Sequence, residues 1–200
     1  MSHLKGIFRV YDPNPSFFNR VKNKILRGDP NCEAEKDETI VLGFCDMIAA
    51  GMNNITNVGV PQALGKNGVA CNVAPTASCI SAAGDSNNGI CAGRGAPTPV
   101  TIASFALDTP IVHGAGANQL QYGLQSYVVP TTAGASRVFI MRRTLTNIGV
   151  GADITITNVG VFCYVAAMGN YVMIDKTNVT ITVPNGGNKT VTYTLTVTVP

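Results

Sequence analysis

Tryptophan is absent from this 200-residue sequence, and histidine occurs only twice. His3 lies at the start of the chain, and His113 directly precedes a Gly-Ala-Gly turn. Two histidines so placed provide neither a histidine pair nor a facial triad, which most catalytic metal sites need. No nucleophile elbow accompanies His113, so a hydrogen-bonded structural role beside a turn is the simpler interpretation. We therefore expect no enzyme activity, no metal and no cofactor.

Cysteine is present, but its six residues form no C-x-x-C motif, which argues against zinc and haem attachment. Cys71, Cys79 and Cys91 lie in a segment rich in glycine, alanine and serine, which is typical of loops. A segment with so few core residues gains stability from a crosslink when the protein resides in oxidising surroundings. These three cysteines are therefore the candidates for a disulfide.

Charged residues make up only 12% of the chain, and the net charge is +3. The N-terminal arm is locally basic, because six of the basic residues fall before Asp29. Proteins that bind nucleic acid usually concentrate far more basic charge on one face. We therefore expect no specific nucleic-acid partner.

The sequence shows neither a secretory signal nor a convincing membrane span. Lys5, Arg9, Asp12 and two prolines interrupt the opening residues, where a signal peptide would need an apolar run. Residues 154–174 carry no charge and are long enough to cross a bilayer. Asn158 and Gly160 break this stretch, and its Ile-Thr-Ile-Thr alternation is typical of a strand. We expect no membrane span.

The first 52 residues predict one strand followed by two helices. Residues 4–11 alternate as a strand does, and the prolines after Asp12 end it. A basic amphipathic helix capped by Ser16 is predicted next, and the acidic turn at 33–38 predicts a second helix over 33–52. The first helix either packs on the sheet or contacts a membrane or nucleic acid. Its candidate assembly contacts are Phe17, Phe18, Val21 and Ile25.

The second half of the chain predicts a set of antiparallel strands. Turn-forming residues separate five strand candidates, which are residues 137–146, 152–165, 170–175, 178–183 and 190–199. The last of these alternates strictly between threonine and apolar residues, so one face is predicted to be core. We predict a mainly β fold, an antiparallel β-sandwich of immunoglobulin-like or jelly-roll-like type with one or two N-terminal helices. The predicted division is an N-terminal assembly arm (1–52), a loop-rich connection (53–99) and the sandwich (100–200).

Six short segments carry a resemblance to a known group of proteins. They are Gly89-Ile-Cys-Ala-Gly-Arg-Gly95, Ser104-Phe-Ala-Leu-Asp-Thr-Pro-Ile111, Asn118-Gln-Leu-Gln-Tyr-Gly123, Arg143-Thr-Leu-Thr-Asn147, Ile156-Thr-Asn-Val-Gly-Val-Phe162 and Val183-Pro-Asn-Gly186. Over about residues 85–200 the chain resembles uncharacterised virion-associated structural proteins of tailed phages and related prokaryotic viruses. It departs from their pattern at Asn158, where a glutamate is common, and in its cysteine-bearing loop.

The resemblance implies a particle component: a tail, baseplate, fibre or capsid-decorating subunit that packs against copies of itself and other virion proteins. Such a subunit is assembled in the host cytoplasm and ends in the virion. Two alternatives remain open, a carbohydrate- or receptor-binding sandwich and a subunit of an extracellular microbial filament. A sugar platform would need exposed rings, and the chain offers Tyr122, Tyr127, Tyr164 and Tyr171.

Overall fold

The structure is a computed structural model in which the described residues are 3–13, 32–37, 39–40, 63–64, 66, 68, 70–71, 78–101, 103–133, 136–149, 151–166 and 169–198. These residues are almost entirely strands and turns. The strands are β1 (His3–Tyr11), β2 (Cys32–Asp37), β3 (Thr39–Ile40), β4 (Ala63–Leu64), β5 (Ala70–Cys71), β6 (Gly89–Arg94), β7 (Thr109–Pro110), β8 (Gln121–Tyr122), β9 (Ser126–Ala133), β10 (Ser136–Thr146), β11 (Ile154–Val165), β12 (Asn170–Val183) and β13 (Asn188–Thr198).

Two antiparallel sheets contain most of these strands. The first sheet has the order β2-β1-β13-β10-β8, and β9 also pairs with β10. The second sheet has the order β3-β12-β11-β6-β7, and β4 and β5 form a separate pair. The first strand of the chain lies in register with the last, from His3 opposite Thr198 to Tyr11 opposite Thr190.

The two sheets share one hydrophobic core. Phe8 of β1 and Tyr193 of β13 are buried in it with their ring centroids 4.9 Å apart. Ile156 and Val161 of β11 and Ile90 of β6 enter the same core from the second sheet. Because side chains from both sheets bury one another, the sheets have a sandwich-like arrangement.

The alternation of apolar residues predicted β1, β10, β11 and β13 to within a few residues of their bounds. One strand differs from its prediction, because residues 170–183 form a single strand where two were expected. Lys176 and Thr177 occupy the expected break, yet both are buried and paired with β11. An ion pair between Lys176 and Asp108 at 3.1 Å compensates the buried charge there.

The helix predicted over 33–52 is wrong in its described part. Residues 32–37 form β2, which runs antiparallel to β1 with Glu35 opposite Arg9 and Ala34 opposite Val10. Pairing with the edge of β1 therefore overrides the local helical signal. The helix predicted after Ser16, with Phe17, Phe18, Val21 and Ile25, lies outside the described residues.

The predicted division at residues 52 and 99 stays a prediction. β1 lies beside β13 in the first sheet, and β6 lies beside β11 in the second. No helix in the described part of the chain is long and apolar enough to cross a membrane.

Candidate assembly surface

Four large apolar side chains are exposed around one edge of the first sheet. Ile80 and Leu124 are exposed at 58% and 70%, and Tyr127 and Val128 are also exposed. We call these four residues the apolar edge. The Gln125 amide nitrogen donates to the Ser81 carbonyl oxygen at 3.2 Å, so the backbone segments that carry Ile80 and Leu124 are in contact.

The strand beneath this surface is β9, which among the described strands pairs only with β10. Tyr127 lies opposite Met141 and Val128 opposite Ile140. Because successive residues of a strand point to opposite faces, Tyr127 and Val128 lie on either side of the edge. Edge strands carry backbone groups that can pair with another chain, so β9 combines polar backbone and apolar side chains at one border.

A buried arginine holds the backbone on both sides of the apolar edge. Arg143 on β10 is 1% exposed, and all five of its N–H groups donate to backbone carbonyl oxygens. The bonds go to Gly123 (3.0 Å, from Nε), Asn88 and Ile90 (both 3.0 Å, from Nη1), and Ala82 (2.9 Å) and Asp85 (2.5 Å, from Nη2). Residues 82–90 and Gly123 are thereby fixed to one side chain.

The electrostatics of Arg143 suit a structural role. Burial lowers the pKa of its guanidinium, whereas Cys91, Tyr122 and Asp85 act in the opposite direction. The guanidinium also lies 4.8 Å from the centroid of the Tyr122 ring, so the ring face adds a cation–π contact. An arginine stays charged in proteins, so its positive charge is balanced by carbonyl dipoles and a ring.

The buried side-chain amides of Gln125 and Asn88 also bind backbone groups close to Ile80 and Leu124. Gln125 accepts a hydrogen bond from the Ile90 amide nitrogen and donates to the Cys79 carbonyl oxygen, both at 2.7 Å. Asn88 donates to the Ile80 carbonyl oxygen at 2.8 Å and accepts from the Tyr164 amide nitrogen at 3.1 Å. Gln125, the residue after Leu124, is thereby bonded to the backbone of Cys79, the residue before Ile80.

The Gln125 side-chain amide occupies the space that a side chain at Gly89 would fill. The φ of Gly89 is +67°, and a Cβ at this position would lie 2.1 Å from the Gln125 Oε1 atom. Any other residue would both strain the backbone and displace the amide.

Comparisons with known proteins do not assign this surface. No family model, no curated protein and no solved structure matches the chain. Its function is therefore inferred from the apolar edge and from the buried groups that hold it.

A disulfide between Cys79 and Cys163 fixes the backbone next to Ile80. This corrects the expectation of a bond among Cys71, Cys79 and Cys91, because Cys79 pairs with a residue of β11 that is 84 positions away. Cys91 is a buried thiol whose pKa burial raises to about 12, so it is unreactive. Cys71 lies in β5, and its side chain is outside the described part of the chain.

Cys91 and the disulfide are on opposite faces of the second sheet. Cys163 belongs to the core between the sheets, whereas Cys91 packs with Phe162 and Met173 in a separate cluster. Phe162 and Cys163 are successive residues of β11 and therefore point in opposite directions. The sheet thus separates the free thiol from the disulfide.

A cavity of about 400 Å³ lies at the border of β8. Its lining includes His113, Gln121, Thr144 and Thr146. The His113 Nδ1 atom accepts a hydrogen bond from the Tyr122 amide nitrogen at 3.1 Å, which matches the structural role predicted for this histidine. Among the described residues, no three side chains of the metal-binding types converge.

The sequence-predicted contacts and the apolar edge are different sets of residues. Phe17, Phe18, Val21 and Ile25 are outside the described residues, and Leu124 and Ile80 were not predicted. Single apolar residues in polar loops produce no periodic pattern, so the sequence does not indicate that Ile80 and Leu124 are exposed on one surface. Tyr127 was considered, but only as a ring for sugar binding.

Proposed function

We propose that the protein is a structural subunit of a viral particle, as a tail, baseplate, fibre or capsid-decorating protein, and that it acts through self-association and packing with other virion proteins. The apolar edge is the observation that carries this proposal. Large apolar side chains exposed around a sheet border, beside a strand that pairs only with β10 among the described strands, are a feature of association surfaces. The viral context comes from the resemblance of residues 85–200.

Rigidity makes this surface suited to assembly. Binding costs free energy when loops and side chains must be ordered at an interface. Arg143, Gln125, Asn88 and the disulfide at Cys79 hold the backbone under Ile80 and Leu124 before any partner arrives. Less of the contact energy is then spent on ordering, so a small patch can support a repeated contact.

The wider architecture agrees with a particle component. We also propose that the sandwich is of immunoglobulin-like or jelly-roll-like type, since sandwiches of this kind pack into symmetric assemblies. Disulfides persist in oxidising surroundings. A subunit that is assembled in the host cytoplasm and then released within a particle meets such surroundings.

The residues Phe17, Phe18, Val21 and Ile25 are proposed as a second set of contacts. Deleting residues 1–30 is not a clean test of them, because it also removes Phe8 and Val10 from the core. Changing the four side chains to serine leaves β1 in place. We expect this variant to retain the unfolding temperature of the wild type and to lose contacts with neighbouring subunits.

Charge placed on the apolar edge should separate the subunits. We expect the purified chain to form oligomers, and the double variant Ile80→Asp/Leu124→Asp to be monomeric with unchanged thermal unfolding. Loss of each central anchor costs about 2 kcal/mol of association free energy, so the dissociation constant should rise by about 30-fold or more for each one. Sedimentation velocity over a concentration series measures this change.

Val112→Asp is the matched control, because Val112 is 50% exposed and lies outside the apolar edge. It should leave the oligomer intact. A wild-type chain that stays monomeric at all concentrations, or a double variant that associates as the wild type does, would contradict a contact role for the apolar edge.

The carbohydrate-binding alternative receives less support from the structure. Of the four tyrosines available for stacking, Tyr122 is buried, and Tyr164 and Tyr171 pack against each other with centroids 5.1 Å apart. Only Tyr127 is well exposed, and it does not line the cavity beside His113. Specific binding on a glycan array that Tyr127→Ala abolishes would favour this alternative.

A further inference from the structure

A lysine, an asparagine and an aspartate meet on the second sheet, apart from the apolar edge. Lys176 lies on β12 and Asn158 on the neighbouring β11, with Gly160 opposite Lys176 and Asn178 opposite Asn158. The two residues are therefore diagonal neighbours across one strand pair. Asp108 reaches them from the loop before β7.

Both side chains bind the same oxygen atom. The Lys176 Nζ atom lies 3.1 Å from Asp108 Oδ2, and the Asn158 Nδ2 atom donates to that oxygen at 2.8 Å. The Lys176 Nζ atom and the Asn158 Nδ2 atom are therefore no further apart than the sum of their two distances to this oxygen. Lys176 is 2% exposed, Asn158 is fully buried and the Asp108 side chain is 10% exposed, so water is largely excluded.

The orientation of the Asn158 amide is fixed by its neighbours. An ionised carboxylate only accepts hydrogen bonds, so the amide nitrogen must face Asp108. The Asn158 Oδ1 atom is buried and has no hydrogen-bond partner among the described residues. It lies against Gly93, where a Cβ would come within 2.2 Å of it. A buried carbonyl oxygen without a hydrogen-bond partner costs free energy. If Asn158 served only to bind Asp108 by a hydrogen bond, this cost would have no compensation at the site.

We propose that Lys176 and Asn158 join in an intramolecular isopeptide bond, with Asp108 as the proton carrier. The bond would connect β11 and β12 covalently. This inference is independent of the proposed function, since it concerns the chemistry of three side chains within one chain.

The reaction balances without any further reagent. Asp108 takes a proton from the Lys176 ammonium, and the neutral amine attacks the Asn158 Cγ atom to form a carbon–nitrogen bond. Asp108 gives its proton to Nδ2 and receives the one that the attacking nitrogen releases. The Cγ–Nδ2 bond then breaks and ammonia leaves. The products are the isopeptide, ammonia and a protonated Asp108, which returns its proton to ammonia or solvent.

The surroundings of Asp108 hold its carboxyl in the ionised form, which is the form that accepts a proton. Burial acts to raise the pKa of this carboxyl, but hydrogen bonds from Thr98 and Lys176 outweigh burial and lower it below its ordinary value. Asp108 is therefore ionised in the folded protein before the reaction. The Asp108 carboxylate is in direct contact with the Lys176 ammonium, so it can accept the proton that must leave before the amine attacks.

The proximity of the amine and the amide would raise the rate of the reaction. Amines do not attack amides readily in water, but reacting groups held in one site reach very high effective concentrations. Asn178 is the other amide nearby, and its Nδ2 atom donates to the Thr98 carbonyl oxygen at 2.8 Å. Of these two amides, only that of Asn158 has its nitrogen hydrogen-bonded to the Asp108 carboxylate, which would protonate that nitrogen before it leaves.

Intact-mass spectrometry of the purified, fully reduced chain is the first test. We expect the folded protein to be lighter than its sequence by the mass of one ammonia molecule. The same chain isolated under denaturing conditions before folding should have its full mass and should lose ammonia only after refolding. A folded and stored protein with the full sequence mass would overturn the proposal.

Digestion with chymotrypsin locates the bond. Cleavage after Phe162, Tyr164 or Tyr171 separates Asn158 from Lys176 in an ordinary chain. The proposal predicts that the two peptides stay joined after reduction of all disulfides. Loss of ammonia with separate peptides would indicate cyclisation at an Asn-Gly pair, and it would also overturn the proposal.

Variants complete the test. Lys176→Arg keeps the charge but should retain the full mass, and Asp108→Asn should slow or abolish the loss of ammonia. Lys189→Arg is the matched control, because Lys189 is equally buried and pairs with Asp12 at 2.9 Å. This control should lose ammonia as the wild type does. If the first two variants fail to fold, the refolding of the wild-type chain still decides the outcome.

Discussion

Replacing Arg143 with methionine should destabilise the protein more than any other single substitution on β10. The change removes the five N–H donors that now serve the carbonyl oxygens of residues 82, 85, 88, 90 and 123. Each buried acceptor left without a partner costs about 1–3 kcal/mol. Because the carbonyls relax together, we expect a total loss of about 4 kcal/mol or more in the free energy of unfolding. Denaturant unfolding, followed by circular dichroism, measures it.

Arg142→Met is the matched control. Arg142 is the preceding residue on the same strand, and its side chain is exposed. Exposed substitutions usually change stability by no more than about 0.5 kcal/mol. Arg143→Lys should fall between the two, since a lysine keeps the charge but cannot form the five-donor fork. Equal stability of the Arg142 and Arg143 variants would show that the buried arginine does not hold these loops.

Reduction of the Cys79–Cys163 disulfide should produce the second large effect. The bond closes a segment of 84 residues. Chain-entropy reasoning gives a stabilisation of about 4.5 kcal/mol for a loop of this length, and measured values for natural disulfides are about 2–5 kcal/mol. The free energy of unfolding should therefore fall by that amount when a reductant is added.

Substitutions separate the disulfide from other effects of reduction. In Cys79→Ala, the difference in stability between oxidised and reduced protein should disappear. In Cys91→Ala the difference should persist, because Cys91 is a buried thiol on the other face of the sheet. A Cys91 variant that loses its redox dependence would contradict the observed pairing.

The strands that could be predicted are those with a strong local pattern. In β13 threonine alternates with Val191, Tyr193 and Leu195, and this pattern needs no knowledge of the partners. β2 shows the opposite case, since its acidic residues also fit the first turn of a helix. Only the pairing of β2 with β1, a long-range contact, decides between them. The continuity of β12 likewise depends on Asp108, which lies 68 residues before Lys176.

The supporting network could not be predicted from the sequence for a similar reason. Arg143 binds carbonyls that lie between 20 and 61 residues away, so no motif around it reveals its partners. The disulfide partner of Cys79 was missed because sequence proximity favoured Cys71 and Cys91. Asp108 lies 50 residues before Asn158 and 68 before Lys176 in the sequence, and the fold places it within hydrogen-bond distance of both. Long-range pairing thus determines both the surface and the crosslink site.

Electron cryo-microscopy of intact particles from the source of this sequence tests the proposed function most directly. The proposal predicts that the chain occupies repeated positions related by the symmetry of the particle, with Leu124 and Tyr127 buried against a neighbouring subunit. The absence of the chain from purified particles would contradict the viral role. Its presence with the apolar edge facing solvent at every position would contradict the assembly surface.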